Sequence, residues 1–231
     1  MRWYFSNTTR LGLALACSSL ASIGLFAAGA ISNHSSEFAY LLWNLFLAWI
    51  PLGLALWLHK VLRRKVWSSW EALLVTALWI GFLPNSFYMI SDFIHIQDVP
   101  RVDLLYDVVM FSSFIFNGVI LGFLALYNVH LELLQRMKRR TGHIVLALVL
   151  LICCFAIYLG RDLRWNTWDV LVNPAGILID VSDRILHPVA YSQAYSTTIT
   201  FFVLLGSLYM VAWQTARAMR YQKVMDDTAE Q

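Results

Sequence analysis

The run Ile144-Val145-Leu146-Ala147-Leu148-Val149-Leu150-Leu151-Ile152-Cys153-Cys154-Phe155-Ala156-Ile157-Tyr158-Leu159-Gly160 holds no charge. It passes directly into Arg161-Asp162-Leu163-Arg164-Trp165-Asn166-Thr167-Trp168-Asp169. The first half is apolar enough for the interior of a bilayer and, though short, nearly long enough to cross it. The second half is what a membrane exit looks like when it also carries polar work, because two arginines, two aspartates, an asparagine and two tryptophans crowd into nine residues. Working outward, five more apolar stretches fit the same reading: 11–31, 38–58, 70–90, 104–128 and 193–213, besides 144–160 itself. Composition agrees, with 59% hydrophobic and only 13% charged residues against about a quarter charged in a soluble domain. The expectation is an all-α polytopic membrane protein, a six-helix transmembrane bundle forming one membrane domain over 1–231.

Charge distribution orients the helices. With the N-terminus inside, thirteen of the seventeen Lys and Arg residues fall on inner segments, and only Arg101, Arg161, Arg164 and Arg184 fall outside. Nine of the fourteen acidic residues lie outside. Both termini are therefore expected in the cytoplasm. The net charge of +3 needs no nucleic acid to explain it, since orientation and contact with anionic membrane lipids suffice. Residues 1–30 also have some features of a secretory signal, ending in Ala28-Gly29-Ala30, but Leu11 to Ala28 is longer than a usual signal core, which favours a retained first helix. Cys17, Cys153 and Cys154 all lie within predicted helices and read as small buried hydrophobes, with neither a disulfide framework nor a thiolate metal site.

Two further patterns concern packing. Gly118 and Gly122 form a small-xxx-small pair that lets another helix come close. In the last outer loop, about 161–188, Leu178, Val181 and Ile185 recur at helical spacing while Asp180, Asp183 and Arg184 face elsewhere, which predicts a short interfacial helix.

The outward ends of the helices hold the candidate site. Asn85, Tyr88, Asp92 and His95 follow steps of 3, 4 and 3, so a continued α-helix would align them in one stripe. Pro84, just before them, frees the carbonyl of Ile80. Asp103 and Asp107 sit one turn apart at the start of the fourth helix, Asp107 deeper and in greater need of a partner, and Asn44 and Asn117 are deep polar amides. If helix continued through 160–169, Arg161, Arg164 and Trp168 would share one face and Asp162, Asn166 and Asp169 the other. Two readings stay open. In one, the arginines neutralise Asp92, Asp107 or Asp169 and tie helix ends together. In the other, Arg161 and Arg164 grip an anion with Asn85, Tyr88, Trp165, Asn166, Trp168 and Asp169 around it, while Asp92, His95 and Asp107 are candidates for acid-base chemistry. His34, His95 and His187 accompany the outer carboxylates, but no His-x-x-x-His or Glu-x-x-His spacing occurs, so no metal is expected. No serine stands in a Gly-x-Ser-x-Gly context, and no cofactor motif is present.

Asn44 to Pro51, Leu83-Pro84-Asn85-Ser86-Phe87-Tyr88 with Asp92 and His95, Tyr106-Asp107, and Gly160-Arg161 with Arg164 to Asp169 occur in order across roughly residues 40–215. Together they resemble the bacterial integral membrane family called domain of unknown function thirteen-sixty-one. In that family's pattern serine is usual in the place of Thr167, a departure that keeps the hydroxyl. The resemblance implies a bacterial polytopic membrane protein and carries no established activity. Three functions follow for a protein of the bacterial plasma membrane. One is binding of an anionic headgroup or small solute at an outward polar site. The second is a membrane-embedded enzyme acting on a lipid or lipid-linked substrate at the outer leaflet. The third, a small transporter, is disfavoured because the inner halves of the helices offer few ionisable groups.

Overall fold

A computed structural model describes residues 2–33, 37–97, 104–165 and 168–229. All regular structure among them is helical: α1 Arg2–Asn33, α2 Tyr40–Leu62, α3 Trp70–Tyr88, α4 Leu104–Arg136, α5 Arg139–Asp162, α6 Asp169–Val172, α7 Pro174–Leu186 and α8 Ser192–Ala229, with 3-10 segments at Glu37–Ala39 and Met89–Gln97. Six helical segments are long and apolar enough to span a bilayer: Thr9–Ser32, Glu37–Leu62, Trp70–Ile94, Leu104–Arg136, Arg139–Asp162 and Ser192–Arg220. They match the six apolar stretches of the sequence. The chain is a multi-pass all-α membrane protein. Its contacts gather into two compact units, residues 1–125 and 126–231.

In the first unit α2 packs on α3. Leu41, Leu45, Ala48, Leu52, Ala55 and Leu58 recur at three- and four-residue steps on one face of α2 and are buried, as are Ala72, Val75, Trp79, Leu83 and Ser86 on α3. Ser69 caps α3 by accepting from the Ala72 amide at 3.4 Å. In lipid, apolar surface gives helices little reason to associate, so close backbone approach and polar bonds matter more. Both are present. A Cβ on Gly118 would stand 2.5 Å from the Ser86 carbonyl oxygen, and one on Gly122 would stand 2.6 Å from the Phe87 ring. The small pair of α4 thus seats α3, as the spacing predicts. The Ser86 hydroxyl donates to the Ala48 carbonyl at 3.1 Å. Polar groups also tie α1 to its neighbours: Asn117 Nδ2 donates to Ser22 Oγ at 2.9 Å, Trp49 Nε1 donates to Ser19 Oγ at 3.2 Å, and the Tyr106 hydroxyl donates to the Leu25 carbonyl. Cys17 is exposed, contrary to the expectation that all three cysteines are buried, because it lies away from the α1 face carrying Leu15, Ser19 and Ser22.

In the second unit α5 packs on α8. Gly142, Leu146, Leu150, Cys153 and Ile157 are buried on α5, and Ala194, Thr198, Leu205, Tyr209 and Trp213 on α8. A short turn joins α5 to the end of α4, where a Cβ on Gly142 would meet Leu134 at 3.0 Å. The short helix expected near 178–185 is present as α7. Asn173 caps it by accepting from the Gly176 amide at 3.0 Å, and Pro174 occupies its first turn, where a missing amide hydrogen costs nothing. Its apolar residues Leu178, Ile179, Ile185 and Leu186 remain exposed while Arg184 is buried. That inversion of the soluble pattern suits a helix whose outer side meets lipid.

Candidate functional site

The residues singled out from the sequence divide between the units. Asn85, Tyr88, Asp92, His95 and Asp107 belong to the first; Arg161, Arg164, Trp165, Asn166, Trp168 and Asp169 belong to the second. Each group is described within its own unit.

In the first unit the stripe expected from continuous α-helix is corrected. α3 runs through Pro84 and stops at Tyr88, and Met89–Gln97 continues as 3-10 helix. A turn of three residues rather than 3.6 rotates everything after Tyr88, so Asp92 does not continue the line of Asn85 and Tyr88. Asn85 instead turns its amide back to the Phe82 carbonyl at 3.1 Å, and the Tyr88 carbonyl accepts from the Ser91 hydroxyl at 2.6 Å. Asp92 is only 2% exposed, and Asn44 Nδ2 of α2 donates to its Oδ2 at 3.2 Å. A deep amide and a buried carboxylate that the sequence leaves 48 positions apart are thus a pair. Asp107 lies half-buried in the first turn of α4, where a carboxylate suits the helix dipole. The His95 side chain and Asp103 lie outside the described residues.

In the second unit the helical continuation through 160–169 is also corrected. α5 ends at Asp162, Arg164 takes the left-handed conformation at φ 59°, and the Trp165 amide folds back onto the Leu159 carbonyl at 3.2 Å. A helix cannot continue through such a turn, so the two faces expected beyond Asp162 do not form. Glycine is usual at that point; an arginine there holds strained backbone. The reversal brings Trp165 to α7, where its Nε1 donates to Asp180 Oδ2 at 2.7 Å. A Cβ on Gly176 would stand 2.9 Å from the Trp165 ring, so the indole lies against bare backbone.

Asp180 also anchors Arg184, one helical turn on. Arg184 Nη1 donates to its Oδ1 at 3.0 Å and to its carbonyl at 2.8 Å, and the guanidinium lies 4.7 Å over the Tyr191 ring. Burial opposes the Arg184 charge, but a hydrogen bond with Tyr158 and the neighbouring Asp180 outweigh it and raise the guanidinium pKa above its usual value. Asp183 accepts from the Tyr191 hydroxyl and pairs with His187 Nδ1 at 2.9 Å. The Tyr191 bond, then His187, holds the Asp183 carboxyl below the usual carboxylate range, and the same bond pushes the Tyr191 phenol up. Asp162 accepts from Gln193 Nε2 at 3.1 Å. Asp162, Asp180 and Asp183 are therefore engaged by groups other than Arg161 and Arg164. Within this unit, among the described residues, neither of those arginines has an ion-pair partner. Arg164 is exposed, Arg161 half-buried, and Trp168, 47% exposed, directly precedes α6, which Asp169 opens. Asn166 and Thr167 lie outside the described residues. The Asp180 and Arg184 network was legible only as an acid and a base four residues apart on a helical segment.

Among the described residues no group of three His, Cys, Asp or Glu side chains is placed to hold a metal ion. No curated protein and no solved structure matches the chain significantly. A family model described as protein of unknown function (DUF1361) matches residues 43–211, which include most of α2, all of α3 to α7, about half of α8 and every candidate residue above. The chain belongs to the DUF1361 family.

Proposed function

We propose that this is a bacterial plasma-membrane protein with both termini in the cytoplasm, whose outward end binds the anionic head of a lipid or a small anionic solute through Arg161 and Arg164. One observation carries the reading. The carboxylates Asp162, Asp180 and Asp183 are engaged by Gln193, by Trp165 and Arg184, and by Tyr191 and His187, which leaves two guanidinium groups at the end of α5 without a carboxylate from their own unit among the described residues. Guanidinium forks suit phosphate and carboxylate, and Trp165 and Trp168 suit the headgroup layer. The orientation is supported by the excess of Lys and Arg on the segments assigned inside. Titration calorimetry of the purified chain with glycerol phosphate tests the reading. Binding is expected for the phosphate and not for glycerol, with a loss of at least about tenfold when Arg161 and Arg164 are both replaced by alanine, since a hydrogen bond to a charged group contributes about 1.5–3 kcal/mol. Equal affinity in that double variant refutes it.

A second reading, an enzyme acting on a lipid-linked substrate, is favoured by the buried carboxylate of Asp92 on its 3-10 turn. It requires that an Asp92→Asn strain, with the protein correctly inserted, differ in lipid composition from the parent; an unchanged composition counts against it.

A further inference from the structure

The opposite end of α5 holds a second arrangement, within residues 126–231, that nothing above uses. His130, on the last turns of α4, is 2% exposed and has both ring nitrogens engaged: Nδ1 with the Tyr209 hydroxyl at 3.0 Å and Nε2 with His143 Nδ1 at 2.8 Å. Trp213 stacks on the His130 ring at 4.1 Å and meets the His143 ring edge-on at 6.1 Å. The chain of rings fixes His143, whose Nδ1 is spent and whose Nε2 has no partner among the described residues. Beside these rings lies a cavity of about 530 Å³, within the size range of small-molecule sites. His143, Arg139 and Gln214 are polar members of its lining, with His130, Ser207 and Tyr209; the remainder is apolar and includes Leu146, Leu150, Phe202 and Met210. None of its lining residues is acidic.

We infer that this cavity seats one anionic phospholipid, its phosphate against Arg139 and His143 and an acyl chain along the α5–α8 groove. Charge complementarity selects the head. Arg139 is exposed and has no ion-pair partner among the described residues, and both it and His143 lie in the first turns of α5, where the helix dipole adds positive potential. Basic pockets between membrane helices recognise lipid heads in this way. Shape selects the chain. Gly206 leaves open space toward α5, its nearest neighbour being Leu150 at 3.9 Å from a built Cβ, and the groove runs about 16 Å from Arg139 to Leu150 at 1.5 Å per residue. The polar end of the site is separate from the outward arginines: Arg161 lies about 33 Å from Arg139 along α5 by the same rise, and Arg164 lies just past the end of that helix.

Native mass spectrometry of the full chain in detergent, with dioleoyl phosphatidylglycerol or dioleoyl phosphatidylcholine added, tests this. One phosphatidylglycerol is expected to be retained about fivefold more tightly than phosphatidylcholine, the size of one basic residue's attraction to an anionic head. Arg139→Ala abolishes the preference, Arg140→Ala, one position on and outside the cavity lining, preserves it, and Gly206→Leu lowers retention of both lipids. Ala147→Leu replaces Gly206→Leu if the latter is not monodisperse. Excess inorganic phosphate displaces nothing if the acyl chain is needed. Equal retention of the two lipids, equal effects of Arg139→Ala and Arg140→Ala, or displacement by phosphate overturns the inference. Every arm is run in the Arg161→Ala, Arg164→Ala background, in which the outward arginines can retain no lipid head, so failure here is distinguishable from failure of the glycerol phosphate titration.

Discussion

Replacing Arg164 with glycine separates backbone cost from side-chain use. At φ 59° a residue with a Cβ carries strain of about 1–2 kcal/mol, which glycine removes. Glycine in turn adds freedom to the unfolded chain, a cost of about 0.5–1 kcal/mol. The exposed side chain has no ion-pair partner in its own unit among the described residues, so its removal takes away no such contact there. The difference leaves Arg164→Gly about 0–1.5 kcal/mol more stable than the parent, a rise in midpoint of at most about 6 °C for a chain of this length. Arg164→Ala, which keeps the strain and loses the guanidinium, is expected to stay within about 0.5 kcal/mol of the parent. Thermal unfolding of both variants in one detergent, followed by tryptophan fluorescence, gives the comparison. Both variants should lose glycerol phosphate binding alike. A midpoint that falls by several degrees in Arg164→Gly refutes the reasoning, because it would mean that the arginine is kept for an internal contact rather than for a ligand.

Other substitutions test the surrounding structure. Gly118→Ala pushes a methyl group against the Ser86 backbone, which cannot move as a side chain can, and is expected to destabilise the first unit by about 1–3 kcal/mol in thermal unfolding. Asp180→Ala removes one oxygen from Trp165 and another from the buried Arg184 and is expected to cost about 1–3 kcal/mol, discounted from a fully buried pair because Asp180 is partly exposed; limited proteolysis across 161–191 should accelerate while cleavage at the α2–α3 turn does not. Asp183 has its pKa lowered by folding, so its contribution is present above the ordinary aspartate value of about 3.9 and fades as pH falls through the lower folded value. Hydrogen exchange in the segment joining α7 to α8 should rise there, and in Tyr191→Phe the transition should begin at higher pH.

The six spans were readable because a bilayer imposes a length on each, and about twenty apolar residues in a row rarely serve any purpose but crossing one. The Gly118 and Gly122 spacing and the periodicity of Leu178, Val181 and Ile185 were readable for a similar reason: both are local patterns whose structural meaning lies within two turns of helix. The geometry of Asp92 was not. Whether a segment after Tyr88 winds at 3.6 or three residues per turn depends on small differences in hydrogen bonding that residue identities barely record, and the change of winding decides which way the carboxylate faces. The left-handed turn at Arg164 was hidden because no glycine marks it. Long-range pairs such as Asn44 with Asp92 leave no trace in one sequence. His130 and His143 left a faint one, lying seven residues before and six after Met137 in the short turn of a helical hairpin, but both fall just outside the apolar stretches 104–128 and 144–160, where nothing in the pattern pairs them.

The proposed role of the arginine end stands or falls on calorimetric titration of glycerol phosphate into the intact chain and into its Arg161→Ala, Arg164→Ala variant, with thermal unfolding to show that both are folded. Saturable binding to the parent that weakens at least about tenfold in a variant of unchanged midpoint agrees with two guanidinium groups available to an anion. Undiminished binding in the variant, or a midpoint that collapses when the arginines are removed, contradicts it, the second outcome showing that they serve to hold the protein together.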